Sequence, residues 1–204
     1  MRKVFVTGIG TDVGKTIVSA VLTEAWEADY WKPIQAGSLE VSDTFRVQKL
    51  VSNPKTKFLP EAYRLQHPMS PHAAAELENI QIRSSKLKLP ETENTLVIEG
   101  AGGIMVPYNY KGDTMIDLVE QWEAEVVLVV RNYLGSINHT LLSIEMLKNK
   151  GVKLLGVVYS GEKVESTERV IENATKVPVL GRVNFEYDLS KDVIKEYAME
   201  FVFI

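Results

Sequence analysis

The stretch TGIGTDVGKT, residues 7–16, follows the apolar run Val4 to Val6 and leads into an amphipathic segment from Lys15 to about Ala28. A strand that ends in a glycine-bearing turn and passes straight into a helix gathers backbone N–H groups and the positive end of a helix dipole at one point, which suits a phosphate. Lys15 adds a cation able to reach β- and γ-phosphoryl oxygens, and Thr16 a hydroxyl able to ligate Mg2+. A plain tight turn would need neither. The common spacing G-x-x-x-x-G-K-[ST] requires glycine at position 9, where this chain has Ile9 between Gly8 and Gly10. With Gly8 as the first glycine, five residues rather than four separate it from the Gly14-Lys15-Thr16 triplet.

Outward from this turn, short apolar runs recur at 3–8, 29–34, 94–100, 125–130, 153–159 and 177–181, and amphipathic stretches at about 114–122, 138–150 and 165–174 lie between the later ones. Continuous apolar runs alternating with helical periodicity imply β-α-β units around a buried parallel sheet. Thr114 followed by Asp117 has the spacing of a capping box. Residues 52–93 are more polar and contain Pro54, Pro60, Pro68, Pro71 and Pro90. That stretch reads as an excursion from the sheet with one short helix, SPHAAAEL, capped by Ser70 with Pro71 in its first turn. The end, 191–204, reads as a docked helix and a final strand. The expected architecture is α/β: one P-loop NTPase-like domain over 1–204, a mostly parallel sheet flanked by helices.

Composition agrees with one domain: 204 residues, 45% hydrophobic and 25% charged. With 23 basic and 27 acidic side chains the net charge is −4, which gives no basic field for nucleic acid. The chain has no cysteine, excluding disulfides and thiolate chemistry and fitting a reducing cytoplasm. The first residues carry too short an apolar run for a secretion signal, and VVLVV at 126–130 is far too short to span a membrane. The mixed charges at the C-terminal end argue against membrane contact. His67, His72 and His139 show no zinc-ligand spacing and read as structural or peripheral; Trp26, Trp31 and Trp122 read as core or interface aromatics.

Three further residues could serve the phosphate loop. Glu99 closes the run TLVI and precedes Gly100-Ala101-Gly102-Gly103, so its carboxylate should emerge at the carboxyl edge of the sheet, where a metal would sit; the alternative is a solvated strand end. Asp43 reads either as a helix cap or as a second carboxylate at that edge. Lys32 closes the second apolar run before Pro33 and reads either as a surface lysine or as a second cation beside a transferring phosphoryl group.

Taken together, FVTGIGTDVGKT, WKPIQAGS, Ser42-Asp43, MSPHAAA, VIEGAGGIMVP, LGSINHTLL and LGRV resemble the dethiobiotin synthetase family, in its order and at its spacing over most of the chain. That family's phosphate loop carries five residues before G-K-T, as here. The resemblance implies ATP-dependent carboxylation and ring closure of 7,8-diaminononanoate with CO2 or bicarbonate, through a carbamate and a carbamic-phosphoric anhydride, in biotin synthesis. It implies that Asp12, Val13, Gly14, Lys15, Thr16 and Ile17 wrap the nucleotide phosphates, that Thr16, Asp43 and Glu99 hold Mg2+, and that Lys15 and Lys32 are catalytic. Gly100, Ala101 and Gly102 would offer backbone N–H groups, and Asn138 would reach the substrate from the second subunit of a homodimer.

The chain departs from the family pattern at Ile9 and Gly10, where the family often has threonine and aspartate; at Ala36, where a hydroxyl residue is common; and at Asn184, where proline follows LGRV. No asparagine matches the family's adenine contact within VVYSGEK. The expectation from these is a base preference broader than ATP, GTP included. The rival class is a nucleotide switch of the septum-positioning or partition type. Its loops carry a lysine early, as K-G-G-x-G-K-T, where this chain has Gly10.

Overall fold

The computed structural model describes residues 1–201. In chain order the elements are β1 (Lys3–Gly8), α1 (Lys15–Ala25), β2 (Asp29–Trp31), β3 (Ile34–Ala36), α2 (Asp43–Leu50), β4 (Phe58–Leu59), β5 (Tyr63–Leu65) and α3 (Pro71–Leu77). There follow β6 (Leu96–Gly103), α4 (Met115–Trp122), β7 (Glu125–Arg131), α5 (Ser136–Asn149), β8 (Leu154–Ser160), α6 (Glu165–Thr175), β9 (Val179–Val183) and α7 (Lys191–Glu200). Seven strands form one sheet in the order β4-β2-β6-β1-β7-β8-β9, with every pairing parallel. The expected α/β fold with a mostly parallel sheet between helices is therefore present.

Alternation along the strands sorts the core into two layers. Val4, Val6 and Val97 face one apolar cluster with α1 and α7, while Phe5, Leu96 and Ile98 face the other with α3 and α4. Trp31 and Trp122 meet in the second cluster with ring centroids 5.4 Å apart, as core aromatics. The expected capping box is present at Thr114, whose N–H donates to Asp117 Oδ2 at 2.7 Å.

Three expectations need correction. The run 29–34 is not one strand: β2 ends at Trp31, Pro33 removes a ladder donor, and β3 pairs with β5 in a separate two-stranded sheet. Nor is 52–93 wholly an excursion, because β4 forms the edge of the main sheet beside β2. Two residues are too few to show a period in sequence. Ser70 makes no side-chain cap on α3; its carbonyl instead accepts from Ala73 and Ala74. The last expected strand falls on 202–204, outside the described residues, whereas α7 docks as expected with Ile194 fully buried. Among the described residues no helix is long and apolar enough to cross a membrane.

The strand order sets the site. β1 lies between β6 and β7, and the chain leaves it for β2 on one side, while β8 and β9 lie on the other. The loop after β1 thus opens where the sheet order reverses, the crevice where open α/β sheets bind ligands.

Candidate active site

The loop after β1 explains its own spacing. A Cβ on Gly8 would collide with Val13 Cγ2 and lie 3.0 Å from Gly10 O, so position 8 admits no side chain. Ile9 instead turns inward, 8% exposed, and joins the apolar cluster under α1. The close approach that glycine permits is needed one residue earlier than in the common loop. At the other end Gly14 takes φ +96° and caps α1 without a side-chain bond, leaving the first-turn N–H groups of α1 uncapped by any side chain. Lys15 Nζ donates to Gly10 O at 2.9 Å, holding its ammonium within the loop. Burial, with Lys32 nearby, pulls its pKa down to about 8 against the opposing field of Glu99.

The strand register brings the acids to the same point. Val6 pairs with Glu99, and Trp31 with Ile98, so Lys32 emerges one residue beyond β2 opposite Glu99. Lys32 Nζ lies 2.9 Å from Glu99 Oε1 and 2.6 Å from Asp43 Oδ2. Glu99 is 1% exposed and Lys32 5%, so neither is a solvated strand end or a surface lysine. Burial works against the Lys32 charge, but Glu99 and Asp43 outweigh it and hold its pKa above the usual lysine range; Lys32 in turn outweighs burial at Asp43 and holds that carboxyl low. The cluster is a charged triad. Asp43 is not the cap of α2: Ser42 Oγ accepts from Phe45 N at 3.3 Å, which frees Asp43 to face Lys32.

Thr16 Oγ1 lies 3.0 Å from both Asp43 Oδ1 and Glu99 Oε1. One hydroxyl carries one proton and can satisfy only one of these acceptors. The remaining oxygen–oxygen approach is one that a hard divalent cation would relieve, and Mg2+ commonly takes only one or two carboxylates beside phosphate and water. The donor set fits that ion. All of these groups open into a cleft of about 650 Å3, which Asp12, Ile17, Ala101 and Gly102 also line.

A family model described as "AAA domain" matches residues 2–193. The chain is 54% identical over 200 residues to the ATP-dependent dethiobiotin synthetase of Christiangramia forsetii, covering 98% of this chain and 96% of that one. It is 46% identical to the synthetase of the same name from Cytophaga hutchinsonii, covering 98% and 97%. The chain belongs to the dethiobiotin synthetase family. Solved structures add the wider fold. The septum site-determining protein MinD of Pyrococcus horikoshii superposes with TM-score 0.59 at 14% identity, covering 98% of this chain and 86% of that one. A ParA family ATPase of Chlorobium tepidum gives 0.53 at 11%, covering 97% and 98%. Identity that low bears on the fold alone.

In this member of the dethiobiotin synthetase family, the remaining sequence candidates divide. Val13 is buried beneath the loop, its Cγ2 where a Gly8 side chain would be. Gly100 is buried and does not line the cleft, and Phe5 Cζ stands 2.7 Å from where its Cβ would be. Asn138 is exposed on α5 and does not line its own chain's cleft. Two residues of the cluster escaped the sequence reading. Tyr30 is fully buried and donates to Glu99 Oε2 at 2.8 Å, its own pKa driven well up by burial and by Glu99. Its place two residues before Lys32, on the same strand face, was the available signal. Gln35, 4% exposed, accepts from Asp43 N at 3.2 Å and seats the start of α2.

Gly14 is the loop's most constrained residue. Alanine there would sit at φ +96° and collide with Ser160 Oγ. Gly14→Ala is expected to destabilise the fold by about 2 kcal/mol or more and to weaken nucleotide binding at least tenfold. Thermal unfolding and nucleotide titration check this, with Gly14→Ala/Ser160→Gly as the companion: removing the collision should recover part of the stability, leaving only the cost of the dihedral.

Proposed function

We propose that the chain, acting as one catalytic domain over 1–204, catalyses ATP-dependent carboxylation and ring closure of 7,8-diaminononanoate with CO2 to give dethiobiotin in biotin synthesis. The observation that carries this reading is Lys32, buried and held between Asp43 and Glu99 beside the Thr16 end of the phosphate loop. A switch ATPase needs a phosphate loop; a second buried cation aimed at the same point suits an enzyme that holds two anions together, a carbamate and a γ-phosphate.

In this reading the loop N–H groups from Asp12 to Ile17 wrap the triphosphate, and Lys15 neutralises charge on the γ-phosphoryl oxygens. Ala101 and Gly102 offer backbone N–H groups from the facing wall; Gly100 lies buried before them. A substrate amine takes up CO2 as a carbamate that lies against Lys32. The carbamate oxygen attacks the γ-phosphorus as the bond to ADP breaks, and the resulting anhydride is opened at its carbonyl carbon by the neighbouring amine, which closes the ring and expels phosphate. Thr16, Asp43 and Glu99 would hold Mg2+, which supplies charge neutralisation on the phosphates. Catalysis here is mainly positioning and electrostatics. Asn138, exposed outside its own cleft, suits a residue supplied to the other subunit's substrate in a homodimer. The enzyme is cytoplasmic in this reading, as the lack of cysteine suggests, and the base preference extends to GTP.

The test is a mass-spectrometric end-point assay with purified protein, 7,8-diaminononanoate, bicarbonate, Mg2+ and ATP or GTP. The cyclic ureido product is expected with both nucleotides. Triphosphate hydrolysis without that product would sink the synthetase reading in favour of the switch.

A further inference from the structure

Two side chains that line the cleft, Ser38 and Arg46, are left unused by the mechanism above. Arg46 lies on α2 one turn after Asp43 and is exposed. Its guanidinium makes no hydrogen bond or ion pair among the described residues, although its field helps to hold the Asp43 carboxyl low. Asp43 is the one acid on α2, and Lys32 and Thr16 already engage both of its oxygens. An arginine whose i,i+3 partner is taken keeps its planar fork of donors for something else.

Ser38 is strained. Its backbone is left-handed, φ 51° and ψ 41°, a conformation that residues with a side chain rarely adopt. The hydroxyl gives nothing back locally: it does not cap the turn over 39–41 and makes no hydrogen bond among the described residues. The surroundings hold the residue there. Gly37, at φ +77°, is closed in by Pro68 and donates to Leu65 O at 2.8 Å. Gln35 Nε2 donates to Gly37 O at 2.9 Å while Gln35 Oε1 accepts from Asp43 N, so one buried amide ties the Ser38 loop to the start of α2. Strain that the fold over-determines collects at binding sites.

Electrostatics narrows the ligand. The charged residues lining the cleft are Lys15, Lys32 and Arg46 against Asp12, Asp43 and Glu99. Lys32 and Glu99 are buried, whereas the Asp43 side chain is 22% exposed, so the triad opens on the Asp43 side. An anion set free at Lys32 leaves past a carboxylate, and Arg46 is the cation that balances the repulsion there. A tetrahedral oxyanion presents enough acceptors for an arginine fork and a hydroxyl together.

We propose that Arg46 and Ser38 form an exit subsite that receives the inorganic phosphate expelled in the last step. The inference rests on the reading above, which makes phosphate a product at Lys32, and adds the residues that draw it out past Asp43.

The experiment is a calorimetric titration of inorganic phosphate onto the enzyme with Mg2+ and ADP, in the parent, Arg46→Ala, Arg46→Lys and Ser38→Gly proteins, with ADP affinity measured in parallel. Arg46→Ala is expected to weaken phosphate binding roughly tenfold and ADP binding far less; Arg46→Lys should recover part of the loss. Ser38→Gly should weaken phosphate binding about threefold and also raise the melting temperature by about 2–4 °C, because glycine relieves the left-handed strain. A serine with only a structural role would not move the two in opposite directions. Phosphate affinity unchanged in Arg46→Ala, an equal loss of ADP affinity, or a more stable Ser38→Gly protein that binds phosphate as the parent does would each overturn the subsite. A parent that binds phosphate through Arg46 but forms no ureido product would instead overturn the synthetase reading, since phosphate is also the product of plain hydrolysis.

Discussion

Lys32→Ala is expected to lower kcat for dethiobiotin formation by roughly 100- to 1,000-fold, the range for removing one preorganised charge from a transition state. The ammonium is already fixed 2.6 Å from Asp43 and 2.9 Å from Glu99, so no reorganisation is needed when charge develops on the carbamate and the migrating phosphoryl group. The substitution has a second consequence. It leaves a carboxylate that is 1% exposed facing Asp43 with no cation between them, and breaking a buried pair in this way costs about 3–5 kcal/mol. Stability and rate therefore have to be separated. Thermal unfolding of the variant locates a temperature at which it is folded, and product formation is measured there. A folded variant that keeps kcat within a few-fold of the parent would make Lys32 a structural counter-ion and nothing more.

The site divides into what periodicity and spacing can carry and what they cannot. Gly8, Gly14, Lys15 and Thr16 were legible because a strand, a turn and a helix start are all local, and their order is written in consecutive residues. Glu99 was legible because it ends an apolar strand, which places it at a known edge. Lys32 and Asp43 stayed ambiguous for a physical reason: each needs its partner to be seen as buried, and the partner is 67 residues away for Lys32 and Glu99. Parallel register supplies that proximity, and register is a long-range property. The same holds for Tyr30, whose hydroxyl meets Glu99 across two strands. β4 was invisible because a two-residue strand on the edge of a sheet has no period to read. Ser42 displaced Asp43 as the cap of α2 because both are good capping residues, and in sequence nothing chooses between neighbours. The burial of Ile9 could not be read from alternation either: strand parity would put it on the face of Phe5, yet after the Gly8 turn it joins the cluster of Val4 and Val6.

Glu99→Gln addresses the other half of the cluster and is expected to be nearly as damaging. Glu99 accepts from Lys32 at Oε1 and from Tyr30 at Oε2, with Thr16 Oγ1 also 3.0 Å from Oε1. Glutamine keeps the volume but can accept at only one end, so its amide nitrogen must face a donor, either the Tyr30 hydroxyl or the Lys32 ammonium with Thr16. A buried unsatisfied donor pair costs about 1–3 kcal/mol, and Lys32 loses one of the two carboxylates that hold it charged. Two losses in rate should follow, one from the misplaced Lys32 and one from a weaker cation site, together roughly 100-fold or more. They are distinguishable by their dependence on Mg2+. If Glu99 holds the ion, the half-saturating Mg2+ concentration for product formation rises by at least tenfold in Glu99→Gln and stays near the parent value in Tyr30→Phe, which removes only the hydrogen bond at Oε2. If Glu99 only orients Lys32, the Mg2+ dependence of Glu99→Gln matches the parent while kcat remains low, and Thr16 and Asp43 would then hold the ion without it. The geometry favours the first outcome, because Thr16 stands equidistant from both carboxylates and a single proton cannot serve the two.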